Sequence, residues 1–247
     1  SKIKEKELTS IEEKREIFEK LGIDVLIEFP LTYETAATPK EVFVEEFLVK
    51  KLRAKFIAAG TDLSFAKNGE GNSAYLIEKS KEFHFDVKII DKIMFQNEVI
   101  SSTAVRQAIL AGDVKKASNM LGSPYKVQGI VEKGRQLGRT IGFPTVNLLP
   151  KEEKLLPPNG VYKTEVLVDG KRYEAITNVG CKPTVTESKQ ILIESYLYDF
   201  EEVIYGEKIE VCFQNFMRKE KKFDSLLGLK EQLQKDLELG RKIGSEV

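Results

Sequence analysis

The hydrophobic pattern changes near residue 118, and this change limits the folds that are open to the chain. Beyond this point, five segments are rich in β-branched and aromatic residues, which is typical of strands. They cover residues 125–132, 161–168, 172–179, 191–200 and 208–216. No helical pattern separates them, and Asp169-Gly170 favours a two-residue hairpin between two of them. The second half is therefore predicted to be an antiparallel barrel or sandwich.

A helix is predicted to follow the strands, over residues 224–240. Leu226, Leu229, Leu233 and Leu237 recur at helical spacing and share one face. We expect this helix to pack on the barrel and to bury the leucine stripe.

The first half alternates strands with helices, which indicates a parallel α/β sheet. Ser10 and Glu13 form a capping-box pair at a helix start. Strands are predicted at residues 25–27, 55–59 and 87–90, and further helices start near residues 38 and 72. The predicted domains are therefore an α/β domain over residues 1–117 and an all-β domain over residues 118–247.

Composition excludes several classes of protein. Lys+Arg and Asp+Glu both number 39 among the 247 residues, so the net charge is zero, which argues against a general nucleic-acid binder. No apolar run reaches the roughly 20 residues of a membrane span, and no signal peptide is recognised. Cys181 and Cys212 lie far apart without a metal-ligand pattern, which favours buried thiols in a reducing, cytoplasmic compartment. His84 is the single histidine, so no mechanism within this chain can use two.

Residues 134–147, GRQLGRTIGFPTVN, carry the densest set of candidate ligand-binding groups. Their glycines are Gly134, Gly138 and Gly142. Glycine allows close approach to the backbone, and Thr145 and Asn147 offer oxygen donors for Mg²⁺ or phosphate. Arg139 and Thr140 stand where a Walker loop has Lys-Ser/Thr, and a dinucleotide fingerprint has different spacing. On the residues alone, a surface turn that feeds a strand and a phosphate site are equally open.

A second candidate phosphate site precedes a predicted helix in the first half. Ser101, Ser102 and Thr103 at a helix start can hold a phosphate, with Arg106 one turn on. The structural alternative is plain N-capping of the helix by Ser102.

Two charged residues of the second half are further candidates. Glu194 stands among apolar and aromatic residues of a predicted strand, either as a solvent-facing residue or as a proton acceptor from a substrate hydroxyl. Arg218 begins a charged loop, either as a solvated charge or as a group that neutralises phosphate or stacks on a planar ring.

At these residues the second half resembles the riboflavin kinase module of prokaryotic bifunctional FAD synthetases. The matching segments are residues 121–125, 138–148, 158–162, 178–184, 193–196, 205–206 and 218–223. The resemblance implies a six-stranded antiparallel Greek-key barrel with a C-terminal helix. The implied reaction moves the γ-phosphoryl group of ATP to the 5′-hydroxyl of riboflavin and yields FMN.

The resemblance also implies roles for the candidate residues. Thr145 and Asn147 would hold Mg²⁺ and phosphate, and the 134–142 loop, with Arg139, would fold over ATP. Glu194 would be the base on the ribityl hydroxyl, and Arg218 would lie in a flap near the flavin. Phosphoryl transfer depends mostly on positioning and charge neutralisation, which such groups supply.

The first half resembles the FMN adenylyltransferase module of the same proteins, which makes FAD. Residues 100–106 match its Ser/Thr-rich signature, and residues 60–66 match a second motif except at Leu63 and Ala66. The family's opening strand and its Phe-Asp-Gly-x-His-x-Gly-His signature have no counterpart. The nucleotidyltransferase domain is therefore predicted to be incomplete. We expect that the start of the parent protein is absent, the alternative being a kinase with a degenerate first domain.

The chain is thus predicted to be a cytoplasmic, ATP- and Mg²⁺-dependent riboflavin kinase. Its expected partners are the small molecules ATP and riboflavin, with no nucleic acid and no membrane, and the sequence specifies no oligomeric state. Two rivals stay open: adenylyl transfer as the main surviving activity, and a non-catalytic regulator that binds FMN or riboflavin without consuming ATP. A nucleic-acid-binding barrel is a more distant alternative, disfavoured by the zero net charge.

We predict that this chain forms FAD at a negligible rate. Paired imidazoles of the family signature stabilise charge at the reacting phosphate, and one histidine cannot supply two. Incubation with FMN, ATP and Mg²⁺, followed by chromatography for FAD, measures the activity. FAD formation as fast as FMN formation from riboflavin would contradict the prediction.

Overall fold

A computed structural model describes residues 6–134, 138, 141–182 and 190–244. The chain forms two compact units, one of Ser1–Gly22 with Ser101–Val247 and one of Ile23–Ile100. This grouping reflects compactness and does not test the predicted domain limits, 1–117 and 118–247, which stay predictions.

Helices and strands alternate up to residue 121, and strands dominate beyond it. The helices are α1 (Ile11–Lys20), α2 (Tyr33–Ala36), α3 (Lys40–Val42) with a π-helical continuation (Phe43–Lys51), α4 (Ser73–Phe83), α5 (Ser102–Leu110), α6 (Val114–Leu121) and α7 (Leu226–Gly244). The strands are β1 (Phe56–Gly60), β2 (Ser64–Phe65), β3 (Gly71–Asn72), β4 (Asp86–Ile90), β5 (Met94–Phe95), β6 (Glu98–Val99), β7 (Tyr125–Glu132), β8 (Val146–Leu148), β9 (Gly160–Val168), β10 (Lys171–Lys182), β11 (Gln190–Leu197) and β12 (Lys208–Arg218). A 3-10 turn covers Lys67–Gly69.

Six strands close into an antiparallel barrel, which confirms the predicted fold of the second half. Their order around the barrel is β10, β11, β8, β7, β12 and β9, and β9 pairs with β10. Asp169 and Gly170 join β9 to β10 with φ of 46° and 75°. Both residues are left-handed, as a tight hairpin turn of this kind requires, so the hairpin prediction is also confirmed.

The barrel interior contains a short polar ladder within an apolar core. The hydroxyl oxygens of Thr164 and Thr177 are 2.7 Å apart, and those of Thr177 and Ser195 are 2.8 Å apart. All three residues are buried, together with Tyr162 and Phe213, whose rings meet edge to face. Because each hydroxyl has a partner, the ladder is compatible with burial.

Helix α1 belongs to the same unit as the barrel and contacts it through a buried ion pair. Ser10 and Glu13 form the predicted capping box. The Glu13 carboxylate also lies 2.6 Å from the Lys154 ammonium, which donates a second bond to the Leu8 carbonyl. Burial lowers the pKa of Lys154, and the neighbouring Glu13 opposes that shift. Loss of either partner would leave an uncompensated charge in the interior.

The unit Ile23–Ile100 contains a parallel pair of strands, as predicted. Strand β1 pairs with β4 from Phe56↔Asp86 to Gly60↔Ile90. The Asn72 side chain caps α4, and buried apolar residues join the helices to the two strands. The core consists of Val44, Ala59, Leu76 and Phe85.

The predicted strand at residues 25–27 is wrong. This segment has no regular structure, and Val25 and Ile27 are exposed. A short apolar run becomes a strand only beside a neighbour that pairs with it. Among the residues that the structure describes in this unit, β1 and β4 pair only with each other.

The C-terminal helix forms as predicted, but its leucine stripe is only partly covered. Leu229, Leu233 and Leu237 are half-buried, whereas Leu226 at the helix start is 54% exposed. Gly240 lies against the barrel so closely that a Cβ there would come 2.3 Å from Ile176 Cδ1. The helix therefore packs tightly at its C-terminal half and less closely at its start. Within the described parts of the chain, no helix combines the length and the hydrophobicity that a membrane span requires.

We predict a loss of stability at alkaline pH to which Cys212 contributes. Burial raises the pKa of this thiol from 9.0 to about 11. The folded protein therefore holds the proton where the unfolded chain has lost it, so stability that is complete below pH 9 falls between pH 9 and 11. The rise of this pKa from 9.0 to about 11 corresponds to about 3 kcal/mol of unfolding free energy.

Denaturant unfolding at a series of pH values checks this prediction. Buried tyrosines contribute to the same decline, so Cys212→Ala should make it shallower between pH 9 and 11 without removing it. Cys181→Ala should leave it unchanged, because Cys181 is exposed and the prediction of a buried thiol there is wrong. An equal decline in Cys212→Ala and in the unsubstituted protein would contradict the assignment.

Candidate functional site

One cavity of about 370 Å³ collects most of the residues that the sequence singled out in the second half. Its walls come from strands β8 to β12 of the barrel, from the loop after β12 and from α7. The predicted site residues that line it are Gly134, Gly138, Thr145, Asn147, Glu194 and Arg218.

Strand register explains why these residues meet. Glu194 of β11 lies directly opposite Asn147 of β8 on one side and opposite Asn178 of β10 on the other. Asn178 lies opposite Val161 of β9, which in turn lies opposite Arg218 of β12. Opposite residues of antiparallel strands point to the same face of a sheet, roughly 5 Å apart. The five residues therefore form one row around the barrel wall, and all of them line the cavity.

The row faces outward, beneath α7. Ile193 and Ser195, the neighbours of Glu194 in the strand, are buried, and Ser195 belongs to the interior ladder. Because side chains alternate along a strand, Glu194 points to the opposite side of the wall. Of the two alternatives for Glu194, the structure therefore supports the carboxylate in the cavity with Thr145 and Asn147.

Asn147 carries the clearest sign of an absent partner. Its side chain is 5% exposed, and its Nδ2 makes a long contact, 3.5 Å, to the Thr145 carbonyl. Its Oδ1 is buried and has no hydrogen-bond partner among the described residues. Buried polar atoms in native proteins are almost always paired, so this oxygen is suited to a bound cation or donor.

Two glycines keep the space around Asn147 and Thr145 open. A Cβ on Gly134 would lie 2.4 Å from Asn147 Nδ2 and 2.8 Å from its Oδ1. A Cβ on Gly138 would lie 2.2 Å from the Phe143 carbonyl oxygen. The backbone N–H of Phe143 donates to the Gly138 carbonyl at 2.8 Å. A larger side chain at either position would displace the cavity wall.

The rest of the cavity suits a planar aromatic ligand. The rings of Phe143 and Tyr196 are 5.9 Å apart at an angle of 58°, and Phe223 adds a third aromatic group. Leu229 and Leu233 of α7 form an apolar wall on another side. A ring system can thus bury its faces here while polar groups meet the row of Asn147, Glu194 and Asn178. Sequence reasoning named Asn178 only within the family-like segment 178–184, not as a site residue.

Arg218 reaches the cavity but is already engaged by α7. Its Nε donates to Asp236 Oδ1 at 2.9 Å and its Nη2 to Asp236 Oδ2 at 2.5 Å. Its Nη1 donates to the Lys219 carbonyl at 3.0 Å. The solvated-charge alternative is therefore excluded, and the predicted role at a phosphate or flavin stays a prediction.

The remaining predicted residues of the second half are not placed in the cavity by the described part of the chain. Gly142 has a φ of 85° and turns the chain before β8, but it does not line the cavity. Arg139, Thr140 and residues 183–184 lie outside the described residues.

The candidates in the first half surround the start of α5. Ser101, not Ser102, is the N-cap: its hydroxyl accepts from the Ala104 N–H at 3.2 Å, because Ser101 is extended and Ser102 is already helical. Thr103 follows in the first turn, and Arg106 Nε donates to the Lys6 carbonyl at 3.3 Å. A phosphate role for these four residues stays a prediction.

A smaller cavity of about 200 Å³ adjoins the first at Thr145, which lines both. Pro144, Phe200, Ile204 and Tyr205 are among its apolar lining residues. Two adjoining cavities that share a hydroxyl-bearing residue have the arrangement that group transfer between two bound molecules requires.

Comparisons with known proteins agree with this class of reaction. A family model of riboflavin kinase matches residues 121–243, and one of FAD synthetase matches residues 1–104. The bifunctional riboflavin kinase/FMN adenylyltransferase of Listeria monocytogenes is 38% identical over 94% of this chain and 73% of its own length. That of Haemophilus influenzae is 38% identical over 95% of this chain and 76% of its own length.

A solved structure resembles the whole chain. It is a protein of Streptococcus pneumoniae described as a macrolide-efflux protein, 32% identical, with a TM-score of 0.85 over 95% of this chain and 75% of that one. The chain belongs to the family of bifunctional riboflavin kinase/FMN adenylyltransferases. It is a riboflavin kinase, which makes FMN from riboflavin and ATP, and the predicted activity is thereby confirmed.

Proposed function

We propose that the large cavity holds riboflavin, with the ring system between the aromatic residues and α7 and the 5′-hydroxyl beside Glu194. The support is the division of the cavity into an apolar part and a polar row. A flavin has the same division, between a planar ring and a ribityl chain of hydroxyls. Asn147, Glu194 and Asn178 would then face the ribityl chain.

ATP is assigned to the neighbouring smaller cavity, with its phosphates directed toward Thr145. Phosphoryl transfer needs the donor and the acceptor in line across a short gap, and Thr145 is the residue that both cavities share. The apolar side chains of Pro144, Phe200 and Tyr205 suit a purine base. Gly134, Gly138 and Arg139 belong to the segment that would cover the phosphates.

Mg²⁺ would be held by Asn147 Oδ1 and the Thr145 hydroxyl together with phosphate oxygens. Both protein groups are neutral oxygen donors, and the Asn147 oxygen is buried without a partner in the described part of the chain. The ion prefers oxygen ligands, keeps several waters, and usually takes few ligands from the protein beside nucleotide phosphates. When bound, it would neutralise phosphate charge.

The chemistry assigned to the protein's own groups is a single proton transfer coupled to phosphoryl transfer. The Glu194 carboxylate accepts the proton of the riboflavin 5′-hydroxyl as the hydroxyl oxygen bonds to the γ-phosphorus. The bond from that phosphorus to the β–γ bridging oxygen breaks, and ADP leaves with the electron pair. Because α7 covers the cavity, it would limit the access of water, which competes with riboflavin as acceptor of the phosphoryl group.

The single observation that carries these assignments is the register of β8, β11 and β10, which places Asn147, Glu194 and Asn178 in one row on the cavity wall. The expected cytoplasmic location and the absence of a nucleic-acid partner stay predictions.

Replacement of Glu194 by Gln should lower turnover roughly 10²- to 10⁴-fold, because the amide cannot accept the proton. Riboflavin affinity should be largely retained, since Gln has nearly the same shape. FMN formation measures kcat, and quenching of riboflavin fluorescence measures Kd.

Glu165→Gln is the matched control for this substitution. Glu165 lies on β9, contacts Arg172 and does not line the cavity. Its replacement should leave kcat unchanged. Normal turnover in Glu194→Gln would refute the assigned base, and flavin binding without ATP consumption by the unsubstituted chain would favour the regulatory alternative.

Replacement of Asn147 by Ala should weaken Mg·ATP about 10- to 100-fold, the cost of one lost ligand to a charged group. The ATP KM at limiting Mg²⁺ should rise, and excess Mg²⁺ should restore part of the activity. Asn119→Ala, at an exposed position of α6, is the control and should change nothing. Unchanged ATP affinity at limiting Mg²⁺ would count against the assigned ligand.

A further inference from the structure

We propose that Asp236 is a positioning residue for riboflavin, because it locks the Arg218 guanidinium to α7 and so holds the apolar wall of the flavin cavity in place. The inference rests on the proposed assignment of the large cavity to riboflavin. In this proposal Arg218 acts by holding α7 in place and not by contacting phosphate.

The contact between the two residues is a two-pronged ion pair at a nearly closed site. Two guanidinium nitrogens of Arg218 each meet a different oxygen of Asp236, at 2.9 and 2.5 Å. Asp236 is only 3% exposed, and Gln232, one turn earlier, donates a further bond to its Oδ1 at 3.0 Å. Paired bonds of this kind fix orientation as well as distance, because the guanidinium fork and the carboxylate are both planar.

The ion pair joins the two elements that cover the cavity. Arg218 is the last residue of β12, and its Nη1 donates to the Lys219 carbonyl. Lys219 begins the loop that covers the cavity, which contributes Glu220, Lys221 and Phe223 to the cavity wall. Asp236 lies in α7. One guanidinium therefore sets the position of both the loop and the helix.

The position of the ion pair along α7 determines which leucine side chains it holds in place. Toward the C-terminus, the helix is held by Tyr198, whose hydroxyl donates to the Leu237 carbonyl at 2.6 Å, and by Gly240 against Ile176. Toward the N-terminus come Leu233 and Leu229, which line the cavity, and then the exposed Leu226. Of these contacts between α7 and the barrel, the one made by Asp236 is thus the nearest along the helix to Leu233 and Leu229.

Electrostatics disfavours a direct phosphate contact by Arg218 while this pair is intact. All three of its nitrogens donate within the protein, and the carboxylate of Asp236 neutralises its charge at contact distance. A phosphate brought to the same guanidinium would also face the Asp236 carboxylate, and like charges repel. The pair therefore acts on the shape of the cavity.

The test compares Asp236→Asn, Arg218→Gln and the double variant in the full chain. If Asp236 acts only through Arg218, the three variants should raise the riboflavin Kd by the same factor, roughly 10-fold, because the second substitution removes nothing further. The ATP KM should stay within about twofold and kcat should change far less than the riboflavin KM. Glu238→Gln, an exposed carboxylate of the same helix, is the control and should behave as the unsubstituted chain.

Three outcomes would overturn the proposal. They are an unchanged riboflavin Kd in Asp236→Asn, effects of the two single variants that add, and a rise in ATP KM in Arg218→Gln alone. Gln232→Ala replaces Asp236→Asn if the latter does not fold. It removes one bond to the carboxylate and should raise the riboflavin Kd by a smaller factor.

A further variant separates this proposal from the assignment of the cavity. Leu233→Trp fills the space in front of α7 and should abolish riboflavin binding if the cavity holds the flavin. Loss of binding in Leu233→Trp with normal binding in Asp236→Asn would overturn the ion-pair role alone. Normal binding in Leu233→Trp would overturn the cavity assignment and this proposal with it.

Discussion

The antiparallel register of β8, β11 and β10 is the constraint on which the rest of the site depends. It brings Asn147, Glu194 and Asn178 into one row from segments that are far apart in the chain. A slip of one residue would turn Glu194 toward the barrel interior, where Ser195 now completes a buried hydroxyl ladder. The ladder and the polar row therefore stabilise the same register from the two sides of one wall.

Closure of the barrel makes this register rigid enough for chemistry. Each of the six strands has a neighbour on both sides, so the wall has no free edge among the residues that the structure describes. The outer face can then present the buried Asn147 Oδ1, which has no hydrogen-bond partner within the described part of the chain. A site that could relax would avoid the cost of such an oxygen. A preorganised polar row of this kind suits a reaction in which positioning contributes most of the rate.

Local signals predicted the fold well wherever the interaction that decides an element lies within a few residues. The capping box of α1 and the Asp169-Gly170 hairpin formed as expected, because each depends on neighbouring side chains and allowed φ values. The strand at residues 25–27 did not form, because a strand needs a partner that local sequence does not specify. Strand β8 has only three residues, too few for a periodic pattern, and only the family resemblance implied a sixth strand.

The sequence by itself determined the candidate site residues: glycines near a Thr-x-Asn pair, a carboxylate in an apolar strand, and an arginine before the last helix. It also determined the class of fold, because the strand propensity of β-branched and aromatic residues and the preference of turn residues act locally. Only the tertiary structure decided that Glu194 faces outward into a shared cavity and that Arg218 is bound by Asp236, 18 residues further along the chain. Pairing across strands and packing of a helix on a barrel depend on contacts that are distant in sequence, and the periodicity of one segment carries no information about which segment it will meet.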